Sequence, residues 1–256
     1  RKLNIGDQIK NNTITGKIFI KKHAADTYEY KGTIVSGSHL VFENNLWIRV
    51  EDSTLSKVKP LNTELYCLIT SDNTIFSNNT KFRDYEEIKD KDIKLSINYK
   101  FAKYINNNLG YIKTSEDINH SYYWGFSDDT VINLNNEPVK LRNIIDNPEK
   151  YDDILGVVEI KDNAIMYDYK GVTVSGNTLV YENKLWVRVF QSIYSTKTTS
   201  VNKTYNIITK DSIVRVNSGP NMCIFRDFIE SNHDSINDVT DNMVTDRLNL
   251  MFNFDK

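Results

Sequence analysis

Two cysteines, Cys67 and Cys223, are too few for a disulfide framework and favour a reducing compartment over an oxidising one. No apolar run approaches the length of about 18 residues that a membrane-spanning helix needs. The opening stretch RKLNIGDQIK has neither a signal-peptide apolar region nor an initiating methionine. It reads as the start of a fragment, of a processed chain or of an ordered part. Charge of one sign is also missing: the net charge of -2 argues against a duplex nucleic-acid binder, which carries a clustered basic surface. The locally basic KIFIKKH (17–23) alternates like a strand with a solvated face. Four histidines, His23, His39, His120 and His233, lie too far apart for metal-ligand spacing, so neither metal nor other cofactor is expected. Glycine (10) and proline (4) are scarce beside abundant Asn, Lys and Ile, a bias associated with an AT-rich genome. Asn-x-Ser/Thr at Asn11, Asn78, Asn119 and Asn202 is what chance provides in so Asn-rich a chain.

What is present is a repeat. YKGTIVSGSHLVFENNLWIRVEDS (30–53) returns as YKGVTVSGNTLVYENKLWVRVFQS (169–192), with 15 of 24 positions identical. The match extends upstream, TITGKIFIKK (13–22) to DILGVVEIKD (153–162), and downstream, LYCLITSD (65–72) to TYNIITKD (204–211). FRDYEE (82–87) then answers FRDFIE (225–230) after four extra residues in the second copy. A period near 140 residues is the length of a duplicated domain, too long for a solenoid or propeller blade.

Within each copy, short β-branched and aromatic segments alternate with Ser-Gly and Glu-Asn turn signals, which predicts an all-β unit. Glu43-Asn44-Asn45 and Glu182-Asn183-Lys184 predict tight hairpins, because asparagine tolerates positive φ. Trp47 and Trp186 are expected to anchor the cores, with Arg49 and Arg188 on the opposite face. Phe82-Arg83-Asp84 and Phe225-Arg226-Asp227 read as an Arg–Asp pair tying a loop to the sheet. A turn or short helix is expected after Asp84. In the tail, Ile236, Val239, Met243 and Val244 recur at helical spacing and predict a helix docked over the second unit.

The order of these pieces resembles the Hint module, the hedgehog/intein self-processing fold, and looks most like the divergent Hint-like domains of large DNA viruses. The family carries a Cys or Ser nucleophile at its first residue and a Thr-x-x-His block that polarises the scissile peptide. A later Tyr-Asp-Leu block and a terminal His-Asn complete the pattern. Its reaction is an acyl shift onto the nucleophile followed by attack on the resulting ester or thioester. GFSDDTVINLNNEPVKL (125–141) matches the first block, but Gly125 stands at the nucleophile. Ser175-Gly-Asn-Thr178 matches the second block, with Thr178 where histidine belongs, so the second copy is expected to be inert. In the first copy Ser36-Gly-Ser-His39 fits the second block, making Ser36 and His39 the candidate catalytic remnant. RKLNIGDQI matches only the end of the nucleophile block, which places any nucleophile before Arg1. Cys67 occupies the position of the later block's Asp, with Asn73 or Thr74 at its His, and FRDYEE replaces the terminal His-Asn. Cys67 is a possible thiol, though its apolar strand reads as the setting of a small buried residue, while Cys223 falls in a loop without a first-copy equivalent.

The resulting division is a first unit over 1–98, an aromatic-rich link over 99–124, a degenerate second unit over 125–231 and a helical tail over 232–256. The link, with Tyr99, Phe101, Tyr104, Tyr111, Tyr122, Tyr123 and Trp124, is suited to packing rather than to tethering. Two functions stay open. One is a non-catalytic structural or interaction protein; the resemblance implies a virion component with capsid proteins as candidate partners, intracellular in an infected host or in the particle. The other is an autoprocessing protein whose first unit cleaves an upstream segment. Neither involves nucleic acid, a membrane or a small-molecule substrate.

Overall fold

Pairs of adjacent residues at positive φ close the hairpins of this chain: Asn44 (50°) and Asn45 (65°), Asn78 (45°) and Asn79 (59°), Asn135 (52°) and Asn136 (68°), Asn183 (49°) and Lys184 (68°). Two successive left-handed residues match the right-handed twist of the flanking strands, which is why asparagine recurs here. The computed structural model describes residues 3–21, 26–60, 64–87, 125–161, 163–229 and 242–250. The chain is all-β apart from short helices, and it forms two units: 1–17 with 21–94 and 233–256, and 18–20 with 95–232. The aromatic link lies outside the described residues, as do His23, His120, His233, Ile236 and Val239.

In the first unit a hairpin of β1 (Gln8–Ile9) and β2 (Asn12–Ile20) is flanked by β8 (Leu65–Thr70). A three-stranded sheet runs β4 (Thr33–Ser36), β3 (Thr27–Tyr30), β7 (Ser56–Val58). A four-stranded sheet runs β6 (Leu46–Arg49), β5 (Leu40–Glu43), β10 (Thr80–Arg83), β9 (Thr74–Ser77). The second unit repeats the plan. There β13 (Ile154–Ile160) pairs β19 (Thr204–Thr209), and β15 (Val172–Ser175), β14 (Ala164–Tyr169) and β18 (Ser195–Val201) form one sheet. A larger sheet runs β12 (Glu137–Lys140), β11 (Val131–Leu134), β20 (Ile213–Ser218), β21 (Asn221–Arg226), β16 (Leu179–Glu182), β17 (Leu185–Arg188). The registers coincide: Phe42 opposes Trp47 as Tyr181 opposes Trp186. Among the described residues no helix is long and apolar enough to cross a membrane.

Several expectations need correction. A helix at Leu141–Asp146, buried through Leu141 and Ile144, follows β12 and is not evident from the sequence pattern. The four extra residues of the second copy lengthen one hairpin. Thr80 opposes Ser77 two residues before Phe82, as Cys223 opposes Val216 two residues before Phe225. Cys223 therefore lies in a strand, and Thr80 is its first-copy equivalent. The tail helix (242–250) belongs to the first unit, not the second. Its Val244 and Leu248 are buried, and Asn249 bonds the main chain of the edge-strand residue Trp47 twice: the Trp47 N–H donates to Asn249 Oδ1 (2.8 Å), and Asn249 Nδ2 donates to the Trp47 carbonyl (3.1 Å). Trp47 is accordingly buried while Trp186 is only partly so.

The Arg–Asp reading also changes. Arg83 lies over the Trp47 ring (4.4 Å) and Arg226 over Trp186 (4.5 Å), each a cation–π contact. Asp84 instead holds the β8–β9 turn, accepting from the Thr70 N–H (2.6 Å) and hydroxyl (2.9 Å) and from Asn73 Nδ2 (3.2 Å). Asp227 does the same at the Thr209 N–H (2.9 Å). After Asp84 the chain makes a turn over its described residues.

Candidate functional site

A Ser-Gly-x-x turn at the end of β15 places the second-copy site. Gly176 admits no side chain, since a Cβ there would meet the Tyr167 ring at 2.7 Å; Gly37 and Tyr28 repeat the contact at 2.7 Å. Two residues on, the chain is anchored by the Val189 N–H donating to the Thr178 carbonyl at 3.0 Å. Ser175 Oγ and Thr178 Oγ1 then lie 3.0 Å apart and fully buried. Both accept from the N–H of Gly125, at 3.0 and 3.2 Å. The Gly125 carbonyl accepts from the Ser175 N–H at 2.9 Å. Phe126 exchanges two main-chain bonds with Tyr205, at 2.7 and 3.0 Å, and bridges Val174 on its other side. The Gly125–Phe126 step is thus clasped between β15 and β19.

Phe126 is fully buried against Phe225, ring centroids 5.2 Å apart at 84°, and a buried aromatic of that size stabilises by about 2–3 kcal/mol. Gly125 has no room for anything larger: an added Cβ would lie 2.6 Å from the Tyr205 carbonyl oxygen. A peptide bond is held by two hydroxyls, and no ionisable side chain is among those atoms. Asn206, next to Tyr205 on β19, is buried, and its Nδ2 has no hydrogen-bond acceptor.

The equivalent turn in the first unit is chemically richer. His39 Nδ1 lies 2.7 Å from Ser36 Oγ, and its Nε2 lies 3.3 Å from Cys67 Sγ. Sequence reasoning names all three residues; the structure aligns them as thiol, imidazole and hydroxyl. Their electrostatics keep the set neutral. Burial first, and the Arg49 guanidinium second, pull the His39 imidazole down to about 4. Burial first, then the Asp84 carboxylate, push the Cys67 thiol up to about 12. A thiolate–imidazolium pair, the usual form of an activated cysteine, is disfavoured on both sides.

Arg49 is the residue sequence reasoning misplaces. It and Arg188 point inward, both buried, because the strand ends there in a 3-10 turn. Arg49 donates to the Ser38 carbonyl and to the Glu87 carboxylate (3.2 Å for Nη2), and Arg188 donates to the Asn177 carbonyl at 2.6 Å. Each braces the residue just before His39 or Thr178. The signal was an arginine at the same column of both copies, next to the valine that starts the turn. Asn73 and Thr74 stay in the Asp84 turn network, where Thr74 donates to Asp72 at 2.8 Å. Among the described residues no cluster of His, Cys, Asp or Glu is built to hold a metal ion.

No protein-family model matches the chain, and no curated protein matches it. Among solved structures, an intein from a hyperthermophile matches at 14% identity, covering 41% of this chain and 99% of that chain, with a TM-score of 0.29. A likeness that slight carries no functional argument.

Proposed function

We propose that the chain is a non-catalytic structural or interaction protein built from two degenerate Hint-like units. One observation carries this reading: the N–H of Gly125 is bound by Ser175 and Thr178 as a peptide to be activated would be, yet Gly125 has no side chain to capture an acyl group and no ionisable side chain is among the described groups bonded to it. What remains is a clasp that holds an extended segment by its main chain. The viral resemblance of the sequence extends the proposal to a component of a large DNA virus particle bound to other proteins, a role that mass-spectrometric detection in purified particles tests. Amide hydrogen exchange tests the clasp itself. The Gly125 amide is expected to exchange slowly in the parent chain, and at least about tenfold faster in S175A/T178V, where both acceptors are gone. Equal exchange in the two would remove the clasp.

A second reading has its own observation. The His39 imidazole bridging Ser36 and Cys67 is an arrangement that can polarise a peptide and relay a proton. Under it the first unit cleaves an upstream segment once. A reporter fused ahead of Arg1, with natural upstream residues between, tests this. Release by hydroxylamine that is lost in His39→Ala supports it, and a stable fusion removes it.

A further inference from the structure

The two-residue loop Asn44-Asn45 decides which way the main-chain groups of β6 face. Glu43 opposes Leu46 across the loop, and Phe42 opposes Trp47 next to it. Along an antiparallel ladder, pairs that exchange both main-chain bonds alternate with pairs that exchange none. The residues flanking a two-residue loop are a bonded pair, so the N–H and C=O of Trp47 point away from β5. Because β6 ends the sheet β6-β5-β10-β9, that direction is off its edge. Both groups meet Asn249 of the tail helix: the Trp47 N–H donates to its Oδ1 at 2.8 Å, and its Nδ2 donates to the Trp47 carbonyl at 3.1 Å. A carboxamide carries the same acceptor and donor as a peptide group. Asn249 therefore stands where one residue of a neighbouring strand would stand. Val244 and Leu248, on the same helix, are buried and hold it in place.

We propose that the edge of β6 is a strand-pairing surface for a second copy of this chain, and that the tail helix masks it. Symmetry selects the occupant. A residue whose N–H and C=O both face off an edge can pair with itself across a two-fold axis, each Trp47 exchanging two bonds with the other. In that register Leu46 opposes Ile48 of the second copy, and Asn45 opposes Arg49. Apolar residues meet apolar ones, and no like charges face each other. Open sheet edges are templates for another chain, and covering one with a helix is a known way to prevent that pairing. The cover can be displaced. A helix of this length (242–250) is marginal outside its docked position, whereas β6 keeps its ladder to β5 without it. With only four residues in β6, the pairing belongs to the weak, transient class. The inference does not depend on the clasp at Gly125.

The test uses the full chain and two variants of its tail. N249A removes the carboxamide and keeps Val244 and Leu248. L248D/N249A also drives the helix off, because it puts a carboxylate where the side chain is 4% exposed. Sedimentation equilibrium over a concentration series gives the self-association constant. It is expected to rise at least about threefold over the parent in N249A and at least about tenfold in L248D/N249A. Amide exchange over 46–48 is expected to slow as the concentration of either variant is raised. Leu46 is 44% exposed, so L46K changes the edge without entering the core. Added to either variant, it is expected to return association to the parent's value, since an edge lysine blunts strand pairing. Unchanged association in N249A overturns the proposal, whatever the double variant does. Association that survives L46K also overturns it, because the copies then meet elsewhere, by exchange of tails or through uncovered apolar surface.

Discussion

At the scale of single residues the decisive contrast is His39 against Thr178. A histidine held neutral in the folded state must take up a proton on unfolding below its ordinary value of 6.5, and burial with Arg49 holds His39 down to about 4. The sign follows: between pH 6.5 and about 4 the unfolded chain binds more protons, so stability falls as pH falls. The contribution is fully present above pH 6.5 and is lost through about pH 4, on the order of 3 kcal/mol. Chemical denaturation of the first unit at pH 7 and pH 4.5 is expected to show this loss, and H39T to reduce it. Unchanged pH dependence in H39T would mean that His39 is not held neutral. Ser36, His39 and Cys67 were legible through the resemblance of their blocks to the Hint pattern, with the second copy showing a different residue at two of the three columns. Their neutrality was not, since it depends on burial and on Arg49, which an alternating pattern assigned to the wrong face.

Hairpins show the same logic at the scale of elements. Asn44-Asn45 and Asn183-Lys184 close equivalent turns, but Lys184 occupies the left-handed region at φ 68° with an ordinary Cβ, where its counterpart is an asparagine. Left-handed backbone costs a non-glycine residue about 1–2 kcal/mol, less for asparagine. K184N is therefore expected to raise stability by about 0.5 kcal/mol, read as a rise in the denaturation midpoint with unchanged slope. No rise would show that the turn is not limiting. These turns were readable because asparagine at a two-residue loop has one dominant cause. The tail helix was readable only as a helix: its apolar face says that it packs, whereas Asn249, which fixes the place at Trp47, is one polar residue among many. The Leu141–Asp146 helix was missed because six residues are too few to show a period.

For the whole molecule, duplication has kept the frame and altered the contents. Tyr30 donates to Glu43 at 2.8 Å and Tyr169 to Glu182 at 3.2 Å, while Ser53 and Ser192 donate to the same carboxylates at 2.6 and 2.5 Å. These buried bonds are repeated because a lost partner leaves a buried polar group unsatisfied, at about 1–3 kcal/mol. The Cys67 column, where Asn206 stands in the second unit, and the His39 column, where Thr178 does, differ between the copies. The account's central claim is that neither site now cuts a peptide, and the mass of the chain tests it most directly. Purified Arg1–Lys256 is incubated with dithiothreitol or hydroxylamine, which release acyl groups from thioesters and esters, and its intact mass is followed. The account predicts an unchanged mass at the value for 29.7 kDa, in the parent chain and in C67A alike. A thiol-dependent break before Gly125, or one anywhere that disappears in C67A or H39A, would contradict it.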